Sequence, residues 1–105
     1  MNGSLPASVR IGGTDYAVIE VKGLRDGSTD LNGHILYNES EIRVEAEMTA
    51  HNKWVTVWHE VIHGILEHAG HGHHEETMVI ALGYGISQVL RDNPWLAEYG
   101  RPVDP

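Results

Sequence analysis

The segment His59-Glu60-Val61-Ile62-His63 has residue types and a spacing that could do chemistry. Residues four apart on a helix share a face, so His59 and His63 can turn two imidazoles toward one metal ion while Glu60 projects beside them. Imidazole nitrogen suits zinc, and a carboxylate beside zinc can act as a general base toward water. Held this way, zinc acidifies its water and polarises the scissile carbonyl, while Glu60 accepts the water proton and later delivers it to the leaving amine. Glu60 is therefore expected as the base and not as a ligand.

A chain with eight histidines can spell such a motif by accident, so its surroundings have to support it. They do: Val55, Trp58, Ile62, Ile65, Leu66 and Ala69 follow helical spacing, and Val57 and Val61 add a second apolar flank. A helix covered on most sides needs partners for two histidines and a glutamate, because unpaired buried polar groups are expensive. A metal supplies them.

A catalytic zinc site takes three protein ligands and keeps a fourth position for water, so a third ligand must come from elsewhere. Glu76 and Glu75 lie thirteen and twelve residues past His63, which permits a tight loop and an antiparallel return, and Glu76 is the expected ligand. Glu75 or a nearby histidine (His68, His71, His73 or His74) stays open as the alternative. The longer pattern H-E-x-x-H-x-x-G-x-x-H fails, since its glycine and last histidine fall on Leu66 and Ala69. His71, His73 and His74 read first as solvated loop residues, although a histidine tract can also bind metal. Either glutamate would equally be favourable as a charge at a helix N-terminus. Tyr84 and His68 are candidates for stabilising a tetrahedral oxyanion, with packing or surface roles as the plainer reading.

These residues need elements to position them. Val9 marks the start of order after a loose leader over residues 1–7, and Tyr16 to Val21 is β-branched and bracketed by Gly12-Gly13 and Gly23, a strand signature. Asp26 to Asn32 is rich in turn formers and reads as a loop. His34 to Tyr37 and Glu41 to Glu45 flank Asn38-Glu39-Ser40 as a hairpin, with Ile42 and Val44 on the core face. A helix follows from Thr49 or Asn52 to Ala69, capped by Thr49 and stopped by Gly70. A second helix runs from about Glu75 to Arg91 with an apolar stripe of Met78, Val79, Leu82, Ile86, Val89 and Leu90, and Asp92-Asn93-Pro94 ends it. The tail over residues 96–105 lacks periodicity and reads as a loose end. Strands followed by helices predict a single α+β domain over residues 1–105, a small antiparallel sheet of about three strands with two main helices packed on one face.

Composition narrows the function. At 105 residues with 41% hydrophobic and 21% charged side chains, the chain fits one globular domain with one core. Seven basic against fifteen acidic residues give a net charge of -8, which opposes nucleic acid and anionic membrane surfaces as partners. Without cysteine there are no disulfides and no thiolate metal ligands. The start lacks the pattern of a secretory signal and no apolar run is long enough to span a bilayer, so the expected location is cytoplasmic. The strand from Glu41 to Glu47 precedes the motif helix, and an exposed edge on it would receive an extended peptide, making a protein or peptide the expected substrate. Its glutamates would equally serve as a solvated face that guards the edge against aggregation.

The hairpin followed by His59-Glu60-Val61-Ile62-His63-Gly64-Ile65-Leu66, with Glu75-Glu76 leading to Ile80-Ala81, resembles the small phage- and prophage-associated zinc metallopeptidases of the ImmA/IrrE type, gluzincins with a minimal zincin-like fold. The similarity spans roughly residues 30–92. It implies a cytoplasmic endopeptidase acting on a repressor or other regulatory protein, with a glutamate of the second helix, here Glu76, completing the zinc site. The family's E-A-N-x-F-A run reads Glu76-Thr77-Met78-Val79-Ile80-Ala81, and no helix-turn-helix or sensor domain is present in these residues. Two other functions compete with the peptidase: a non-catalytic, metal-containing protein-interaction module, and metal buffering by the His71–His74 loop.

Overall fold

The structure is a computed structural model that describes residues 4–100. Strands β1 (Ser8–Ile11) and β2 (Thr14–Val21) form a hairpin turned by Gly12 and Gly13, both at positive φ. Gly12 could not be replaced freely, because a Cβ there would lie 2.5 Å from the His68 ring. The stretch expected to be a loop instead carries a small ribbon, β3 (Arg25–Asp26) and β4 (Thr29–Asp30), hinged at Gly27 with φ +63. Strands β5 (Gly33–Leu36) and β6 (Glu41–Glu45) are antiparallel, as the hairpin reading predicts.

The sheet is mixed, not antiparallel, and has four strands in the order β1-β2-β6-β5. β6 inserts beside β2 in parallel, pairing Val18 with Ile42 and Glu20 with Val44. Parallel strands need a long crossover, and here residues 22–40 provide it with the ribbon and β5 in place of a helix. This leaves β6 interior, so the edge expected on Glu41–Glu47 does not exist; β1 and β5 are the edges. Ile42 and Val44 are fully buried on the helix-facing side, where Ile11, Tyr16, Ile35, Val57 and Val61 complete the core. Leu5 packs against this cluster and the Ala7 carbonyl accepts from Val18 N–H, so residues 5–7 are not a loose leader.

Helix α1 (Ala50–His68) begins where Thr49 Oγ1 accepts from Asn52 N–H at 3.1 Å. It ends in a Schellman arrangement: Gly70 at φ +90, its N–H bonded to Glu67 O, and His71 N–H bonded to Leu66 O. Helix α2 (Glu76–Asp92) starts at Glu75 as N-cap, and a short helix α3 (Trp95–Tyr99) occupies part of the tail expected to be loose; residues 101–105 lie outside the described residues.

Among the described residues α2 packs on α1 and α3 but not on the sheet, so α1 is a middle layer between sheet and α2. The buried face of α2 is Val79, Gly83 and Ser87, with Ile86 and Leu90 half-buried. Met78, Leu82 and Val89 of the expected stripe are exposed, because a helix that packs mainly on α1 and does not reach the sheet buries only a narrow strip. Truncating Ile42, at 0% exposure in the interior strand, should lower unfolding free energy by about 2–5 kcal/mol. Urea unfolding of Ile42→Ala would read this as a lower midpoint at unchanged m-value, and a midpoint equal to wild type would contradict the core assigned here.

Candidate metal centre

Helix α1 can serve two masters because its faces differ. Val57, Val61 and Gly64 meet the sheet, and Val55 and Ile62 are buried on the side of α2. Gly64 permits close approach: a Cβ there would stand 2.9 Å from Ile11 Cδ1 and 3.1 Å from Ile35 Cδ1. On the other side Gly83 of α2 lies over the backbone of His59, where a Cβ would meet it at an ordinary contact distance of 3.5 Å. Between these contacts His59, Glu60 and His63 occupy the seam of sheet, α1 and the start of α2.

His59 Nε2 and His63 Nε2 are 3.2 Å apart. Glu76 reaches across from the first turn of α2, with Oε1 2.7 Å from His59 Nε2 and Oε2 3.3 Å from His63 Nε2. One ligand atom from each of the three residues lies within 4.8 Å of the others. Bonds of about 2.0–2.1 Å at tetrahedral angles separate ligand atoms by about 3.3 Å, which two of the separations match, while Glu76 Oε1 stands closer to His59 Nε2, at hydrogen-bond distance. The donor chemistry fits as well: two neutral imidazoles and one carboxylate, with no thiolate required. Burial lowers the His63 pKa, against the opposing pull of Glu76, and so favours the neutral imidazole that binds metal.

Glu60 is 6% exposed and stands apart from the three converging groups. Burial pushes its carboxyl up to about 7; the Ile35 backbone N–H draws it down and the charge of Glu76 pushes it further up. Geometry explains the Ile35 contact. Glu45 N–H donates to Asn32 O, so along the antiparallel register Gly33 and Ile35 fall at non-hydrogen-bonded positions, and their backbone groups face the open edge of β5. Gly33 leaves room there, for a Cβ would lie 2.5 Å from Thr56 Cγ2 and 3.1 Å from Glu60 Oε2. A pocket of about 310 Å³ opens at this point, lined by Asn32 and Gly33 from the edge, His59 and Glu60 from α1, and Ile80 and Tyr84 from α2 among others.

The expected site residues thus separate. His59, His63 and Glu76 come together with Glu60 beside them, and Tyr84 lines the pocket. Glu75 caps α2 and accepts from Thr77 Oγ1, outside the cluster, while His71 and His73 are exposed. His68 is unfit as an oxyanion donor: it points at the sheet, its Nε2 2.8 Å from Tyr16 Oη. His74, read as solvated, is not; its side chain is 8% exposed and its Nδ1 is 2.7 Å from His63 Nδ1. No local signal in the sequence distinguishes it from exposed His71 and His73. Burial and the charges of Glu67 and Glu60 push the Tyr37 hydroxyl up to about 12. No family model, curated protein or solved structure matches the chain.

The raised Glu60 pKa has a sign that can be measured. In the metal-free protein its contribution to stability is full below about pH 4.5, its unfolded value, and is lost as pH rises through about 7. Glu60→Gln should therefore match wild type near pH 4 and exceed it at pH 8 by up to about 3 kcal/mol. Urea unfolding in chelator at the two pH values checks this; equal gaps at both would refute a buried, neutral-preferring carboxyl.

Proposed function

We propose that this chain is a zinc-dependent peptidase related to the ImmA/IrrE gluzincins, as its motif resemblance implies. The observation that carries the reading is the convergence of His59, His63 and Glu76, with ligand atoms within 4.8 Å of one another, buried Glu60 beside them and a pocket at His59 and Glu60 walled by the strand edge at Gly33. His59 and His63 would hold the ion through Nε2 and Glu76 through its carboxylate. Zinc bound there would supply Lewis acidity and a water made nucleophilic near neutral pH.

The remaining chemistry belongs to the chain. Glu60, buried beside the cluster, would take a proton from water at its carboxylate and give it to the amine that leaves. An extended peptide would pair with the backbone of Gly33 along the β5 edge, which orients its carbonyl toward α1. Ile80 and Val55 give the pocket an apolar wall for one side chain of that peptide, and Tyr84 offers a hydroxyl at the rim. A protein or peptide is thus the proposed substrate, and a cytoplasmic regulatory protein remains the expectation from the resemblance. Among the described residues no helix is long and apolar enough to cross a membrane.

A second reading, a metal-stabilised interaction module, draws on the exposed Met78, Leu82 and Val89 of α2. It predicts binding without cleavage. Elemental analysis of untagged protein should find about one zinc per chain, lost in His63→Ala and in Glu76→Ala. With an unstructured peptide library read by mass spectrometry, Glu60→Gln should keep zinc and lose about 10²–10⁴-fold in cleavage rate. Zinc absent from wild type would sink the metal centre, and undiminished cleavage by Glu60→Gln would sink the assigned base.

A further inference from the structure

We infer that His74 is the positioning residue of His63, a role that rests on the metal centre proposed above. Two Nδ1 atoms 2.7 Å apart cannot both be bare or both carry hydrogen; one donates and the other accepts. The rings differ in plane by 27°, with centroids 4.9 Å apart, so the two nitrogens meet edge to edge and in line.

The metal side decides which nitrogen donates. His63 turns Nε2 toward His59 and Glu76, so Nε2 must be the bare nitrogen when it ligates, and Nδ1 carries the hydrogen. His63 Nδ1–H then donates to His74 Nδ1, and the hydrogen of His74 sits on its Nε2. That atom is buried without a hydrogen-bond partner, and the carboxylate oxygen Glu67 Oε2 is 3.9 Å away. Glu67 lies one helical turn beyond His63 on α1, so a small rotation of its side chain closes the gap. The resulting order is Glu67, His74, His63, metal, with each hydrogen pointing away from the ion.

An imidazole held in its ligating tautomer and orientation loses less freedom on binding, and its donor nitrogen is more basic. The sequence places this device economically: His74 sits in the α1–α2 connection, so the segment that carries Glu76 to the site also carries the group that aims His63. The unpartnered Nε2 is hard to explain for a loop residue with no such task, because burying a bare donor is unfavourable.

Chelator competition for zinc on wild type, His74→Ala and His74→Asn tests the role. Asparagine puts its Oδ1 near the position of the His74 Nδ1 and can accept the same hydrogen. His74→Ala should bind zinc about 10- to 100-fold more weakly, and His74→Asn should recover most of that loss. Imidazole ¹⁵N spectra of zinc-loaded wild type should show His63 protonated at Nδ1. Zinc affinity of His74→Ala equal to wild type, or a bare Nδ1 on His63, would overturn the role while leaving the metal centre standing. Wild type that binds no zinc overturns both. If the alanine variant does not fold, the wild-type spectrum and the asparagine affinity decide.

Discussion

The closeness of α1 to the sheet is the constraint on which everything else depends. Gly64 lets the helix settle onto Ile11 and Ile35, and Gly33 lets the β5 edge settle beside Thr56 and Glu60. Were the helix to ride higher, Glu60 would regain water and its carboxyl would fall back toward an ordinary acidity. Its raised pKa comes from this burial, with the charge of Glu76 adding to it. The same depth brings the edge of β5 level with the motif, so strand, Glu60 and the cluster of His59, His63 and Glu76 share one seam.

The motif helix, its Thr49 cap, its Gly70 stop and the hairpin with Ile42 and Val44 inward were legible in the sequence, because each is a local pattern of period or cap. What was not legible is long-range. Nothing in the alternation of Glu41 to Glu45 tells whether its other neighbour runs parallel or antiparallel, and that choice moved the open edge from β6 to β5. The α2 stripe failed for a related reason: apolar residues spread around the helix identify it as a helix but not which side meets a partner, and Gly83 and Ser87, small enough for close contact, mark the packed face instead. The ribbon at Gly27 was hidden by its shortness.

At the site, residue type and spacing singled out His59, Glu60 and His63, and the family resemblance pointed to Glu76 where spacing alone left Glu75 and the nearby histidines open. Helix geometry explains the selection: Glu75 is the non-helical N-cap, directed to Thr77, while Glu76 is the first residue inside α2 and turns toward α1. His74 was misread because a glycine- and histidine-rich connection looks solvated, and only the antiparallel return of α2 buries one of its members.

The parallel joint between β2 and β6 bears on how the chain assembles. Hairpin β5–β6, helix α1 and the start of α2 follow one another in sequence and hold His59, Glu60, His63 and Glu76, yet Gly33 with Glu60 and Ile35 with Gly64 meet across long stretches of chain. The pairing of Val18 with Ile42 must likewise close a long loop before it gains anything, and such closures set folding rates. The local units are thus the two tight hairpins, β1–β2 and β5–β6, and the seam that holds His59, Glu60, His63 and Glu76 closes only when more distant segments meet. Hairpin β1–β2 backs that seam, supplying Ile11 and Tyr16 to the core.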